Sequence, residues 1–308
     1  MVSNRLLVGD CAVLENHSLV LQVAKQFGPR VISLSLRGGE NIFAEVPHLV
    51  LECPGKGGFH LHGGHRLWHA PEDPAITYLP DDDPVEINSS QDQMDVIQEV
   101  EPETGLQKFI HIRLPDQTAT VILEHTIFNK GTYTVECAPW AISQMKPGGT
   151  AILPQNMTLA DKLGVLPNRN LALWPYTNPG SRYITWGREA ILVHANLALE
   201  EEKLKLGFPN PRSWIAYHRQ DTLFVKYAKY IPDQPYYDFG TSSQCYCGPE
   251  FIELETLGPR VILPPGGSVS HTETWQMIGE TQLPRLEHAA DALAESLSLD
   301  SRAATFTE

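Results

Sequence analysis

The sequence predicts an all-β chain of many short antiparallel strands, closed by one short helix. Three observations predict it. The 308 residues contain 24 Pro and 23 Gly, and turn residues break the chain repeatedly; strands recurring about every 8–12 residues are the pattern of a sandwich or barrel. The segments between the breaks are rich in β-branched and apolar residues. Helical spacing occurs in one stretch only, near the end. With 42% hydrophobic residues the chain is neither disordered nor fibrous. At this length a folded chain buries about 75% of its unfolded surface, enough for a core without disulfide staples.

The elements follow in order. Segments 18–23 and 30–36 are rich in β-branched and apolar residues, with turns at Gly28-Pro29 and Arg37-Gly38-Gly39. A strand over 49–52 leads into a Gly-rich loop at 54–58. Further strands are predicted over 96–101, 107–114, 119–128, 132–144, 190–197, 214–218, 222–230, 251–257 and 268–277. The stretch 154–185, with Pro167, Pro175 and Pro179, reads as irregular; a loop of that length is functional or packed by its own side chains. Over 283–297, Leu286, Ala289, Ala290, Leu293 and Leu297 form one helical stripe behind a proline in the first turn. The last eight residues read as frayed. No internal repeat is present. Residues 1–282 therefore read as one β domain, with 283–308 as its terminal helix and tail.

Charge and cysteine content narrow the function. A net charge of −14 without any run of four Lys or Arg argues against nucleic acid and anionic membranes as partners. No apolar run approaches the roughly 18 residues of a spanning helix, and the first residues lack a signal pattern. Five cysteines, with only Cys245 and Cys247 close together, suit a reduced, cytoplasmic protein. Cys245-Tyr246-Cys247 has the look of half a metal site, but no second pair completes it.

The densest chemistry lies at FHLHGGHRLWH, with four His, Arg66 and Trp68 inside residues 59–69. If 59–62 is extended, His60 and His62 share a face, and Gly63-Gly64 lets the backbone turn close to a ligand. A metal site built on His60, His62 and His65 is one reading, although no Glu follows at the spacing of cupin jelly rolls and Arg66 sits among the ligands. Histidines tucked into turns are another. The third is a sugar site, in which Trp68 stacks on a pyranose while Arg66 and His62 bond its hydroxyls.

Period-two alternation over 251–257 puts Phe251, Glu253, Glu255 and Leu257 on one face. Two carboxylates on an otherwise apolar face call for a cleft or a wet surface, and their mutual repulsion raises one pKa toward the range of a general base. His125 shares a face with Val121, Leu123 and Ile127, as a core histidine or as an acid in a cavity. Asp238, in Tyr236-Tyr237-Asp238-Phe239-Gly240, suits vicinal hydroxyls or an Asx turn. Lys226 interrupts an apolar strand, and with Arg66 would suit an anionic substituent.

Four motifs, in this order, resemble the galactose mutarotase-like (aldose 1-epimerase) superfamily. They are FGPRVISLSLRGGENIFAE, Leu61-His62-Gly63-Gly64, Leu254-Glu255-Thr256 with Pro259, and Leu263-Pro264-Pro265-Gly266-Gly267 with Glu273-Thr274-Trp275. The resemblance implies a β-supersandwich with a concave face that holds a sugar. It implies Glu255 as the base for the anomeric hydroxyl, His62 as a substrate-binding histidine, and no metal or nucleotide cofactor. The family's Asn-His-x-Tyr-Phe acid has no counterpart at 137–145, which leaves His125 or His65 to supply that proton, or a protein that binds sugars without epimerising them. The expected partner is a small sugar or sugar derivative, bound by a monomer or homodimer.

Overall fold

Short strands rich in apolar and β-branched residues form two antiparallel sheets in the computed structural model, which describes residues 11–195, 202–283 and 289–307. The first sheet has 11 strands. These are β1 (Cys11–Glu15), β2 (Leu19–Ala24), β3 (Arg30–Leu36), β4 (Glu45–Cys53), β5 (Gly57–Ala70), β10 (Val135–Met145), β12 (Ala172–Leu173), β15 (Leu204–Phe208), β18 (Ser243–Cys247), β19 (Ile252–Leu257) and β20 (Val261–Leu263). Its main path runs β1-β2-β3-β5-β10-β19-β18-β15-β12, with β4 paired to β5 and β20 to β10.

The second sheet has 10 strands. They are β6 (Glu86–Ser89), β7 (Gln93–Ile97), β8 (Leu106–Arg113), β9 (Thr120–Asn129), β11 (Thr150–Pro154), β13 (Ile184–Trp186), β14 (Ala190–His194), β16 (Trp214–Arg219), β17 (Thr222–Ala228) and β21 (Ser268–Ile278). Its order is β13-β14-β11-β16-β17-β21-β9-β8-β7-β6.

The main core lies between the sheets. Leu67, Met145, Leu206 and Leu254 of the first meet Leu123, Ile215, Phe224 and Trp275 of the second. Each fully buried side chain of this size contributes about 1.5–3 kcal/mol. A separate apolar cluster covers the outer face of the first sheet, where Trp68, Trp140, Ile142 and Leu257 pack with Phe59, Leu61 and Phe251. The all-β expectation holds. Strands β1, β6, β11, β12, β13, β15, β18 and β20 go beyond the segments expected from the sequence, because each is short and is defined by its neighbours rather than by its own pattern, and the long β5 runs through the Gly-rich segment, which breaks its pattern. A helix is observed over Ala289–Ser296, with Leu293 buried; residues 284–288 of the expected helix lie outside the described residues. The tail read as frayed is a second helix, Leu299–Phe306, with Leu299 and Ala303 buried against β16 and β17 neighbours such as Trp214 and Tyr227.

Gly63 and Gly64 do more than punctuate β5. Both have positive φ (96° and 73°), and an added Cβ would lie 1.9 Å from Ala44 O and 2.2 Å from Val31 O respectively. Only glycine fits where β5 turns between β4 and the sheet centre.

Candidate active site

Register builds the site. In the centre of the first sheet, Ile142 of β10 lies opposite both Arg66 of β5 and Glu255 of β19, and Glu255 lies opposite Gln244 of β18. One step along, Gln144 pairs with Glu253, and Glu253 with Tyr246. In the other direction Trp140 faces Trp68 and Leu257. Three adjacent rows thus place two carboxylates, an arginine, two amides and several aromatic rings on the outer face.

The charges there are matched. Arg66 Nη2 donates to Glu253 Oε1 at 3.0 Å, and Gln144 Nε2 donates to the same oxygen at 3.1 Å. The Arg66 guanidinium stacks 4.1 Å from the Trp68 ring centroid. Glu255 Oε2 accepts from Trp140 Nε1 at 2.8 Å and from Lys205 Nζ at 2.9 Å. The Lys205 ammonium lies between two indoles, 4.7 Å from Trp140 and 4.8 Å from Trp174. The Trp174 backbone N–H and the Thr177 hydroxyl both donate to Lys205 O and hold that covering segment against β15.

Several buried polar atoms on this face have no partner within the described protein: Glu255 Oε1, Arg66 Nε and Nη1, Trp68 Nε1, Gln144 Oε1 and Gln244 Oε1. Such groups are costly unless something bonds them. Burial is the main force lifting the Glu255 carboxyl, to about 7; the Lys205 charge opposes it and the Glu253 charge adds to it. Burial alone would lower Lys205, but Glu255 and Glu253 outweigh it and hold the ammonium above its ordinary value. The face therefore carries a carboxyl poised to exchange a proton near neutrality, beside an ammonium that the two carboxylates keep charged.

Of the residues singled out in the sequence, Glu255, Glu253, Arg66 and Trp68 are brought together here. Asp238 joins from the side. It has φ 51°, in a left-handed turn, and its Oδ2 accepts from Gln244 Nε2 at 2.7 Å.

His65, His125 and Lys226 stand on the opposite side of the sheet, in the dry layer between the two sheets. All are fully buried. His65 Nε2 meets His125 Nε2 at 2.7 Å, His65 Nδ1 meets Ser143 Oγ at 2.9 Å, and His125 Nδ1 donates to His271 O at 3.0 Å. The carbonyl fixes the proton on His125 Nδ1, so His65 Nε2 is the donor to His125 Nε2. Lys226 Nζ lies 3.0 Å from Glu273 Oε1 and donates to Leu254 O at 3.0 Å. Burial drives His65 well below its ordinary value and lowers His125 and Lys226 as well. This placement sets His65, His125 and Lys226, each expected from the sequence at a sugar site, apart from the face that carries Glu255. Odd and even positions of a strand face opposite ways, and His65 and Thr256 are one residue out of phase with Arg66 and Glu255.

His62 occupies a third place. It stacks on Phe27 at 3.8 Å and faces Asp82, with Nε2 3.4 Å from Oδ1. His60 and His62 group with Asp82, whereas His65 groups with His125 and Glu273, so these three histidines do not form one ligand set. Cys245 and Cys247 are both buried on the core side of β18.

Lys205, Trp140, Gln144, Gln244 and Trp174 were not singled out in the sequence. The available signal was weak: Lys205 is one cation inside the apolar run Leu-Lys-Leu-Gly-Phe, and Trp140 and Gln144 keep period two along β10.

The fold is that of galactose mutarotase-like proteins. A galactose mutarotase-like protein from Lactobacillus casei superposes with TM-score 0.58 at 11% identity, over 87% of this chain and 100% of that one. A galactose mutarotase related enzyme from Lactobacillus acidophilus gives 0.55 at 8% identity, over 90% and 100%. A TPR-domain containing protein from Parabacteroides distasonis gives 0.59 at 13% identity over 90% of this chain, which spans 49% of that protein. No protein-family model and no curated protein matches the sequence.

Proposed function

We propose that the protein is a carbohydrate-active isomerase that interconverts sugar anomers by ring opening, with Glu255 as the base. The observation that carries this reading is Glu255 itself. One oxygen is anchored by Trp140 and Lys205, the other is free within the described protein, and burial sets the carboxyl at about 7. A base with a pKa close to working pH suits removal of the anomeric hydroxyl proton. Indole faces at Trp68, Trp140 and Trp174 provide stacking surfaces for a pyranose, and the unpartnered Arg66 and Gln donors and acceptors suit its hydroxyls. The fold shared with two Lactobacillus proteins named for galactose mutarotase supports a sugar as the substrate.

In the proposed reaction Glu255 takes the proton from the anomeric oxygen and the C1–ring-oxygen bond breaks, its electron pair passing to the ring oxygen. Lys205 donates a proton there, which is downhill because an alkoxide is more basic than an amine. Rotation about the C1–C2 bond and reversal of both transfers give the other anomer. Entry requires the segment bearing Trp174 to shift, since that indole covers Lys205 and Glu255 beside it is fully buried.

The test is polarimetric or NMR relaxation of freshly dissolved anomers across a panel of hexoses, pentoses and their acidic derivatives. Wild type should accelerate relaxation of at least one sugar, and Glu255→Gln should lose roughly 10²–10⁴ of that acceleration. No acceleration for any sugar, or equal rates for both proteins, refutes the reading. A second reading, a sugar-binding protein without catalysis, is favoured by one observation: no histidine stands on this face among the described residues. Calorimetric binding of a sugar without any acceleration would select it.

A further inference from the structure

We propose that His60, His62 and Asp82 form a surface binding site for a first-row divalent transition-metal ion, separate from the Glu255 face. His60 and His62 alternate along β5 and project from the same side, with ring centroids 5.6 Å apart. Asp82 reaches both: Oδ2 lies 3.0 Å from His60 Nδ1 and Oδ1 lies 3.4 Å from His62 Nε2. All three ligand atoms fall within 4.8 Å of one another. Ligands at about 2.0–2.1 Å from a metal stand about 2.8–3.4 Å apart in octahedral or tetrahedral geometry, and the two Asp82–imidazole separations of 3.0 and 3.4 Å match that spacing. Two imidazoles and one carboxylate, with open positions left for water, suit Zn²⁺, Co²⁺, Ni²⁺ or Cu²⁺ rather than Ca²⁺ or Mg²⁺.

The site is held in shape and is open to solvent. His62 has φ 52°, a conformation rare outside glycine, and its ring is clamped parallel to Phe27 with 12° between the planes. The side chains of His60, His62 and Asp82 are 39%, 17% and 46% exposed, which gives an ion access from water.

The local charge also favours a dication. Asp81, Asp82 and Asp83 are consecutive, and the nearby cation, Arg30, is already bonded to Asp81 Oδ2 at 3.0 Å and to Leu61 O at 2.8 Å. The buried trio His65, His125 and Glu273 is equally close in space but differs on this point. There the Lys226 ammonium lies 3.0 Å from Glu273 and supplies the positive charge itself.

The test uses the full-length protein without an affinity tag, treated with chelator and titrated with Zn²⁺ by calorimetry and with Co²⁺ by visible absorption. One equivalent should bind. His60→Ala and Asp82→Asn should each weaken affinity by about tenfold or more, and His111→Ala, a half-buried histidine paired with Asp95 in the second sheet, should leave it unchanged. In wild type, paramagnetic Co²⁺ or Ni²⁺ should broaden the ring signals of His60 and His62 before those of the other histidines. Absence of saturable binding, or binding unchanged in His60→Ala/Asp82→Asn, overturns the proposal. Broadening centred on His65 and His125 overturns it too.

Discussion

Replacing Lys205 with Met tests whether the ion pair on the sheet face sets the Glu255 proton. Methionine keeps a long apolar stem between Trp140 and Trp174 while removing the ammonium 2.9 Å from Glu255 Oε2. At that distance and an effective dielectric near 20, the Coulomb attraction is about 6 kcal/mol. Breaking a buried pair costs roughly 3–5 kcal/mol once relaxation is counted. At about 1.36 kcal/mol per pKa unit, the Glu255 carboxyl should rise from about 7 to about 9 or higher.

The sign follows from linkage. A carboxyl whose folded pKa exceeds its unfolded value loses stability as pH climbs from the unfolded to the folded pKa, and nothing further above it. In wild type that loss ends near 7; in the variant it continues to about 9. The variant should therefore be about 1.4 kcal/mol more destabilised relative to wild type at pH 8 than at pH 6. Urea unfolding of both proteins at the two pH values measures this difference, and carboxyl-carbon NMR of Glu255 reads the pKa directly. A destabilisation equal at pH 6 and pH 8, or a Glu255 pKa that does not rise, would refute the electrostatic account of this face.

Two further outcomes concern the core and the frame. His69 is buried, and burial brings it down to about 4, with Lys108 adding to the effect. A histidine lowered in the folded state loses stability as pH falls from its unfolded value near 6.5 toward the folded one, so this group should remove about 3 kcal/mol between those pH values. His69→Phe should flatten acid unfolding over that window, and an unchanged slope would remove His69 from the account. Gly64→Ala must hold φ near 73° with its Cβ 2.2 Å from Val31 O. A loss of about 3 kcal/mol or more is expected, measured as a shift in the urea midpoint. A loss under 1 kcal/mol would show that β5 can turn without glycine.

Much of the architecture was legible because it rests on local periodicity. Alternation along 251–257 assigned Glu253 and Glu255 to one face with Phe251 and Leu257, and these residues line the outer cluster. The same rule grouped His125 with Val121, Leu123 and Ile127, all of which are buried in the layer between the sheets. The two glycines after His62 were marked as a backbone turn, and both adopt positive φ. The terminal helix was visible as a stripe, whereas the helix after it was not. Leu299–Phe306 has little apolar stripe of its own and is held by docking on the second sheet, a tertiary effect on a marginal segment.

Sequence by itself determined the all-β class, the net negative charge, and which residues of a given strand travel together. Period two reports that neighbours along a strand part ways, but not which side meets another sheet and which meets a ligand. That choice fell to the tertiary structure. It placed His65 and His125 in the layer between the sheets and Arg66 and Glu255 on the outer face. It also chose the partners: Arg66 bonds Glu253 187 positions away, and Lys205 bonds Glu255 50 positions away. Such contacts are set by cross-strand register among β5, β10, β19, β18 and β15, which no local window contains. The pKa of Glu255 has the same origin, since burial and the flanking charges of Lys205 and Glu253 arise only when those strands lie side by side.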